Sequence, residues 1–458
     1  MVIIFLKKRK LRLNTLKKLI QTKGEQSMAH KKISELNNDI GKEVEIRGWA
    51  HRVRSSNAVM FVVMRDVSGI IQCVITKEEI AKEKWEECSK ITVESSLIIK
   101  GIVKKEEKAP MGIELSVKDF ELIATSESFP ISKDFSPEFL ADVRHLWLRS
   151  RKMTSILKIR STVMGAVHNF FRNKGFYECQ SPSIMSSQCE GGSTLFKVDY
   201  YGKELYLTQT WQLHAEAAIF ALENIYCIAP SFRAEKSRTS RHLSEYWHAE
   251  METVWCDFEE LQEYAEKLIK HIIKEVLEKN KYDLEVLKRD ISILENSLKK
   301  PFTKMTYDEA LKILKEKHNM KVEWGKDLRT VEEDKLTSDF DTPIIVTKYP
   351  KIVKAFYMKE DPTNPDVVLG FDVLAPENYG ELIGASQREE DQKKIEKRLL
   401  EQGEDLKNYQ FYLDTRRYGS VPHSGFGMGI ERIVSWICKL DTIKDAIAFP
   451  RTMTRYSP

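Results

Sequence analysis

The chain has 458 residues, a formal net charge of +4, 42% hydrophobic and 31% charged residues. That length allows two or three domains with cores large enough to fold unaided, and so small a charge imbalance does not by itself call for a nucleic-acid partner. No stretch approaches the roughly 20 apolar residues of a membrane span.

The seven cysteines (Cys73, Cys88, Cys179, Cys189, Cys227, Cys256 and Cys438) are scattered, odd in number and form no C-x-x-C pair. This argues against a zinc site or a disulfide framework and favours a reducing cytoplasm.

In chain order, residues 1–27 come first, as a basic extension. Lys7, Lys8, Arg9, Lys10, Arg12, Lys17, Lys18 and Lys23 occur there with no acid before residue 25. The run MVIIFL is too short for a secretory core. The extension reads as a tail that brushes RNA, as a targeting peptide, or as sequence upstream of a working start at Met28. The last is preferred, because organised patterning begins only after Met28.

Residues 28–125 read as short strands: EVEIRGWAHRV, AVMFVVMRD, IIQCVIT, SSLIIKGIV and IELSVKDFELI, with one helical piece, KEEIAKEKWEECSK, after the third. Five strands and a helix in this span match the element count of a small closed oligonucleotide-binding (OB) barrel. Residues 126–150 begin SESFPISKDFSPEFL, with the Ser and Pro content of a hinge. Ile156, Ile159, Val163, Val167 and Phe170 then recur at helical spacing, and Gly175 marks the end of that helix. Strands and helices alternate through 151–458. The charged stretch at about 254–340 is expected to be a solvated helical insertion.

The stretch SFRAEKSRTSRHLSEYWHAEME, residues 231–252, crowds cations next to the apolar NIYCIAP. His242, Ser244, Tyr246, His248, Glu250 and Glu252 fall on one face of a strand, and Leu243, Trp247, Ala249 and Met251 on the other. Residues 234–241 are then the loop of a hairpin. Arg233 on the strand, with Arg238 and His242 from the loop, forms a clamp suited to a polyphosphate, because arginine grips phosphate through two nitrogens. Near the C-terminus, GFGMGIER alternates Gly425, Gly427 and Gly429 ahead of a helical stripe, so that something flat can lie against the backbone. Its spacing does not fit a dinucleotide fingerprint.

Taken together, F-R-x-E with H-x-x-x-Y and then G-x-G-x-G-x-E-R resemble motifs 2 and 3 of the class II aminoacyl-tRNA synthetases. GFYECQSPSI, with Pro182, resembles motif 1 and its dimer-interface proline. The resemblance covers residues 30–458 and is closest to the aspartyl/asparaginyl subgroup, and within it to the archaeal-type asparaginyl enzymes, through FRAEKSRTSRHLSEYWH, KAFYMKEDP and RRYGSVPHSGFGMGIER.

It implies an α+β fold: a five-stranded OB barrel followed by a class II catalytic domain, an antiparallel sheet flanked by helices. It implies a homodimer without a membrane anchor, and ATP-dependent ligation of asparagine to tRNA(Asn) through an aminoacyl-adenylate.

Motif by motif, the resemblance gives Arg233 the α-phosphate of ATP and Arg238 and His242 the outer phosphates. Arg432 takes the γ-phosphate and stacks on adenine, and Tyr246 covers the other adenine face. Glu235 touches the adenine amino group or the tRNA end. Gly429 and Glu431 complete the ATP site. Glu381 and Asp372 supply oxygen ligands for Mg2+. Glu190 in CEGGST greets the substrate α-amino group from a lid hinged on Gly191 and Gly192.

Gln212, Glu216, Ser386 and Arg388 form the amino-acid pocket. In aspartyl enzymes, the stretch matching QTWQLHAE carries a lysine where this chain has Ala215. Glu216 next to it repels an aspartate side chain by about 1–4 kcal/mol and accepts an asparagine amide, while Arg388 donates to the amide carbonyl. Phe61 and Gln72 match the pair that stacks on and hydrogen-bonds the middle anticodon uridine.

Departures from the family pattern are Trp211, His214, Ser240 and Ala385; Trp211 and His214 are expected at the pocket. The rival expectations are an aspartyl-tRNA synthetase, possibly charging both tRNAs, an asparagine synthetase-like amide ligase, and a non-catalytic RNA-binding paralogue.

Overall fold

Period-2 patterning in the first third builds a barrel. In the computed structural model, which describes residues 30–457 apart from 187, 188, 190–194 and 238, five strands close on themselves in the order β1-β2-β3-β5-β4. They are β1 (Glu43–Ser55), β2 (Val59–Arg65), β3 (Ile70–Thr76), β4 (Ser96–Lys105) and β5 (Ile113–Ala124), with helix α1 (Lys82–Cys88) between β3 and β4. Alternate residues fill the interior, among them Met60, Val62, Met64, Ile71, Cys73 and Ile75. Closure comes from the parallel pairing of β3 with β5, which leaves the barrel no free edge. The chain divides into two compact units after Phe135.

The second unit begins with two short helices, α2 (Pro137–Asp142) and α3 (Arg144–Trp147), so much of the stretch expected as a hinge is helical. The buried Arg144 anchors it, donating to the carbonyls of Lys444, Ile447 and Ala448 and to Asp445 Oδ1 at 3.0 Å. Helix α4 (Arg151–Asn173) starts at Ser150, whose Oγ accepts from the Met153 amide, and the chain turns out at Gly175 with φ 80°. Its predicted stripe is buried, each such side chain worth about 1.5–3 kcal/mol.

Further along lie β6 (Tyr177–Glu178), β7 (Ile184–Met185), β8 (Lys197–Tyr200), β9 (Lys203–Leu207), α5 (Gln212–Leu222), β10 (Asn224–Phe232), β11 (Glu245–Val254) and α6 (Phe258–Lys279). After them come α7 (Lys281–Val286), α8 (Ser292–Lys299), β12 (Thr303–Thr306), α9 (Tyr307–His318), α10 (Thr330–Thr337) and β13 (Ile344–Thr347). The chain finishes with β14 (Glu360–Asp361), β15 (Asn364–Val368), β16 (Gly370–Ala375), β17 (Gly380–Gln387), α11 (Gln392–Glu401), α12 (Gln410–Arg417), β18 (His423–Gly429) and α13 (Ile430–Cys438).

Eight strands form the main sheet, in the order β12-β13-β16-β17-β18-β11-β10-β6. It is antiparallel through its centre, as expected, but parallel at both edges, where β12 joins β13 and β6 joins β10.

The stretch expected as a solvated insertion is two things. Helix α6 belongs to the core: Leu261, Ala265, Leu268, Ile269, Ile272, Ile273 and Val276 are buried in one cluster with α4, α13 and the sheet. Its high charge hid this because the charged residues occupy only the outer face. Helices α7 and α8 add Leu284 and Leu294 to the same cluster, whereas β12, α9 and α10 have their own small core around Tyr307, Leu314, Leu336 and Tyr349. Among the described residues no helix is long and apolar enough to cross a membrane.

Candidate active site

The expected hairpin forms, with Ile225 opposite Glu252 and Ile228 opposite Ala249. Ala249 and Met251 enter the core, while Tyr246, His248, Glu250 and Glu252 line a cavity of about 730 Å³. The loop is longer than predicted: β10 ends at Phe232 and β11 begins at Glu245. Arg233 therefore follows the strand, although its amide still donates to the Ser244 carbonyl at 3.0 Å.

The alternating glycines of β18 serve the protein's own side chains. A Cβ at Gly425 would overlap the Glu252 carboxylate, and one at Gly427 would overlap the His248 imidazole. Only glycine lets these neighbours on β11 lie flat across β18.

One end of the cavity is cationic. Arg233 Nε donates to the Tyr246 hydroxyl at 3.1 Å, and its guanidinium lies 5.9 Å from the centre of that ring. Arg432 donates from Nη1 to both the backbone oxygen and Oε2 of Glu381, each at 2.9 Å. His242 contacts Thr239 Oγ1 and lies 3.4 Å from Glu235. Burial holds His242 below the usual histidine value; Glu235 pulls the other way, but Arg432, Arg233 and Arg241 add to the lowering. The sequence reading counted His242 among the cations of this run, whereas its surroundings disfavour the charged form.

Two carboxylates meet beside these arginines. Asp372 Oδ2 accepts from Lys354 Nζ at 2.8 Å, and Glu381 Oε2 from Arg432. The other oxygens face the space above Gly384, where a Cβ would lie 3.0 Å from Glu381 Oε1 and 3.7 Å from Asp372 Oδ1. Two carboxylate oxygens converging on one gap suit a hard cation such as Mg2+. Burial, with Glu381 nearby, pushes Asp372 up to about 6 against the pull of Lys354.

The far end of the cavity lies roughly 20 Å along β17 from Glu381. There Arg388 donates from Nε and Nη2 to the two oxygens of Glu252 at 2.9 and 2.8 Å, and from Nη1 to Ser386 Oγ at 2.8 Å. Tyr357 packs against its guanidinium, 5.2 Å away. Glu250 accepts from Thr210 Oγ1 and from the Trp211 amide.

Two expected pocket residues stand behind this layer. Ser386 is fully buried and reaches the cavity only through Arg388. Glu216 is also fully buried and does not line the cavity. Its carboxylate accepts from Gln212 Nε2 at 2.8 Å, from the Tyr412 hydroxyl at 2.7 Å and from Arg416 Nη2, with His423 Nε2 3.1 Å away. Burial opposes its charge, but Arg416, His423 and Arg388 hold it well below the usual carboxylate range. Glu216, expected at the amino-acid pocket, thus stands behind the cavity lining, and its partner Gln212 does line the cavity. His214 also faces away, stacked on Phe411 at 5.2 Å, whereas Trp211 lines the cavity.

With this geometry, the comparisons converge. A family model described as tRNA synthetases class II (D, K and N) matches residues 136–453, and an OB-fold nucleic acid binding domain matches residues 44–123. The chain belongs to the class II tRNA synthetases.

An asparagine–tRNA ligase of Thermococcus gammatolerans is 48% identical over 91% of this chain and 96% of its own length. One from Thermoplasma acidophilum is 47% identical over 92% and 97%. The crystal structure of asparaginyl-tRNA synthetase from Pyrococcus horikoshii complexed with asparaginyl-adenylate superposes with a TM-score of 0.90 at 45% identity, over 94% of this chain and all of that one.

The synthetase's remaining expected residues are distributed as follows. Gly429 lines the cavity. Glu431 lines it too, and its carboxylate accepts from the Trp247 amide at 3.0 Å and pairs with Arg160 at 2.8 Å. Arg238, Glu190, Gly191 and Gly192 lie outside the described residues, as does the 1–27 extension. Pro182 is exposed beside the sheet-edge strand β6.

On the barrel, Phe61 is exposed and pairs with Val74, while Gln72 pairs with Val63, which puts both on one outer face. Gln72 Nε2 donates to Glu114 Oε2 at 3.1 Å, so that bond engages its amide nitrogen and not its amide oxygen.

The sequence reading gave no role to Lys354 and Tyr357 in KAFYMKEDP or to Arg416 in RRYGSVP, although it quoted both stretches. It also missed Glu114, quoted only as part of a barrel strand, and Tyr412, which lies outside any quoted stretch. Glu250 and Glu252 were placed on the correct face but given no role, although their alternation with His248 was the available signal.

Proposed function

We propose that this synthetase ligates asparagine to tRNA(Asn) in two steps, with asparaginyl-adenylate between them and AMP and diphosphate as products. The observation that carries the choice of amino acid is the pairing of Arg388 with Glu252. A lone guanidinium would favour an aspartate carboxylate. One already bonded through two nitrogens to a carboxylate presents no net charge, and its remaining N–H groups suit the neutral carbonyl of an amide. Gln212, oriented by Glu216, and Glu250 are the acceptors for the amide N–H groups.

ATP fits the cationic end. Tyr246 and Arg432 offer flat faces to adenine, and Arg233 sits where it can hold the α-phosphate while the asparagine carboxylate attacks it. Arg238 and His242 serve the outer phosphates, with Glu235 at the adenine amino group. Mg2+ bound by Glu381 and Asp372 supplies Lewis-acid charge at the phosphates. The 3′-terminal adenosine of the tRNA then takes the aminoacyl group. No enzyme nucleophile is involved; acceleration comes from positioning and from fixed cations over developing negative charge.

Phe61 and Gln72 read the middle anticodon base, and Glu190 closes over the substrate α-amino group. The exposed Tyr177 on the edge strand β6, with Pro182 and Ile184 exposed in the same motif 1 stretch, supports a homodimer through motif 1. Free cysteines accord with a cytoplasmic location.

The test is amino-acid-dependent ATP–pyrophosphate exchange followed by tRNA charging. Asparagine is expected to drive exchange better than aspartate, and Glu252→Gln to move that preference toward aspartate by about tenfold. Exchange driven better by aspartate in the unmodified enzyme overturns the assignment.

A further inference from the structure

Arg241 sits in the same cation-rich run as Arg233, Arg238 and His242, but its guanidinium is tied elsewhere. Nη2 donates to Asp334 Oδ1 on α10 at 2.7 Å and to the Asn378 carbonyl oxygen in the turn between β16 and β17. These partners lie 93 and 137 residues away in sequence. Nη1 is buried and makes no hydrogen bond among the described residues. The side chains of Glu333 and Arg241 close over Gly380, where a Cβ would lie 2.5 Å from Glu333 Oε2 and 3.1 Å from Arg241 Nη1. Gly380 has φ 65°, so the backbone and both neighbours require glycine.

Three segments thus meet at one planar cation: the loop between β10 and β11, the insertion helix α10, and the turn that delivers Glu381. The Arg241–Asp334 pair is about a quarter exposed on both sides. Such a pair contributes only about 0.2–1 kcal/mol to stability. What it does is geometric, because a planar guanidinium held at two points cannot swing.

We propose that the insertion positions the phosphate-binding loop: Asp334 and the Asn378 carbonyl hold Arg241, and through it keep the adjoining His242 facing the cavity. Asp334 is a positioning residue acting through Arg241. The proposal rests on the reading of that cavity end as the ATP site, and it assigns a role to a segment that carries no recognisable motif.

The test is a double-mutant cycle on ATP–pyrophosphate exchange with Asp334→Asn, Arg241→Lys and the pair together. Both substitutions nearly conserve volume at partly exposed positions, and melting temperatures verify folding. Each single variant is expected to raise the KM for ATP about fivefold, with kcat and the KM for asparagine within about twofold, and the double variant to be no worse than either single. An unmoved KM for ATP, multiplicative effects in the double variant, or an equal rise in the KM for asparagine overturns the proposal alone. Absence of exchange in the unmodified enzyme overturns the ATP reading itself.

Discussion

Glu216 illustrates how a charge works without touching substrate. Three donors, from Gln212, Tyr412 and Arg416, surround its carboxylate, with His423 Nε2 3.1 Å away, in a site closed to solvent. Its removal leaves Arg416, whose side chain is fully buried, without its counter-ion. Glu216→Gln is therefore expected to cost about 3–5 kcal/mol of folding stability, measured by urea unfolding, rather than to alter specificity alone. The same residue sets a pH dependence. Its folded-state pKa lies below the unfolded value of about 4.5, so the stability it contributes is complete above that pH and is lost as pH falls through the folded value. Glu250, also lowered despite burial, acts in the same direction. Melting temperature of the catalytic unit should hold from pH 7 to about 5 and decline below about 4.5, whereas Glu216→Gln should flatten that decline.

At the scale of elements, the site depends on strands lying close enough for side chains to cross them. β18 pairs with β11 on one side and β17 on the other, and its glycines leave room for Glu252 and His248. A methyl group at Gly425 would meet the Glu252 carboxylate and lie 2.5 Å from the Met251 carbonyl oxygen, and backbone cannot move aside. Gly425→Ala is expected to destabilise by about 1–3 kcal/mol and, by displacing Glu252 from Arg388, to raise the KM for asparagine more than that for ATP. Denaturant titration and exchange kinetics check the two halves of this expectation. A sheet built from β-branched residues alone would be as stable but would have no space for the pocket.

Across the whole molecule, two separately cored units divide the labour. The barrel core and the catalytic core share no residue. Base recognition and adenylate chemistry should therefore be separable. Phe61→Ala is expected to weaken tRNA binding by about 1–3 kcal/mol and to slow charging, while leaving ATP–pyrophosphate exchange at the unmodified rate. Filter binding and the two activity assays distinguish this from general damage. The parallel strands at both sheet edges follow from the same economy of scale. β12, from the insertion, and β6, from motif 1, are local additions to an antiparallel centre that already holds the catalytic residues.

Much was already determined by the linear chain. The barrel strands follow from alternation of apolar residues, which side-chain geometry forces on any half-buried strand, and the phosphate end of the site from motifs whose members lie within about twenty residues of one another. Short-range order is written locally, so the hairpin that carries Arg233 and Tyr246 and the strand–helix junction that carries Gly429 and Arg432 could be placed before any fold was known. What the tertiary structure alone decided were the partners of buried charges. That Glu216 faces Arg416 behind the cavity lining, that Glu252 pairs with Arg388, that α6 is core rather than insertion, and that Asp334 reaches the loop between β10 and β11 all depend on contacts between distant segments. A buried charge is stabilised by whichever opposite charge packing brings within a few ångströms, and sequence spacing carries no record of that distance.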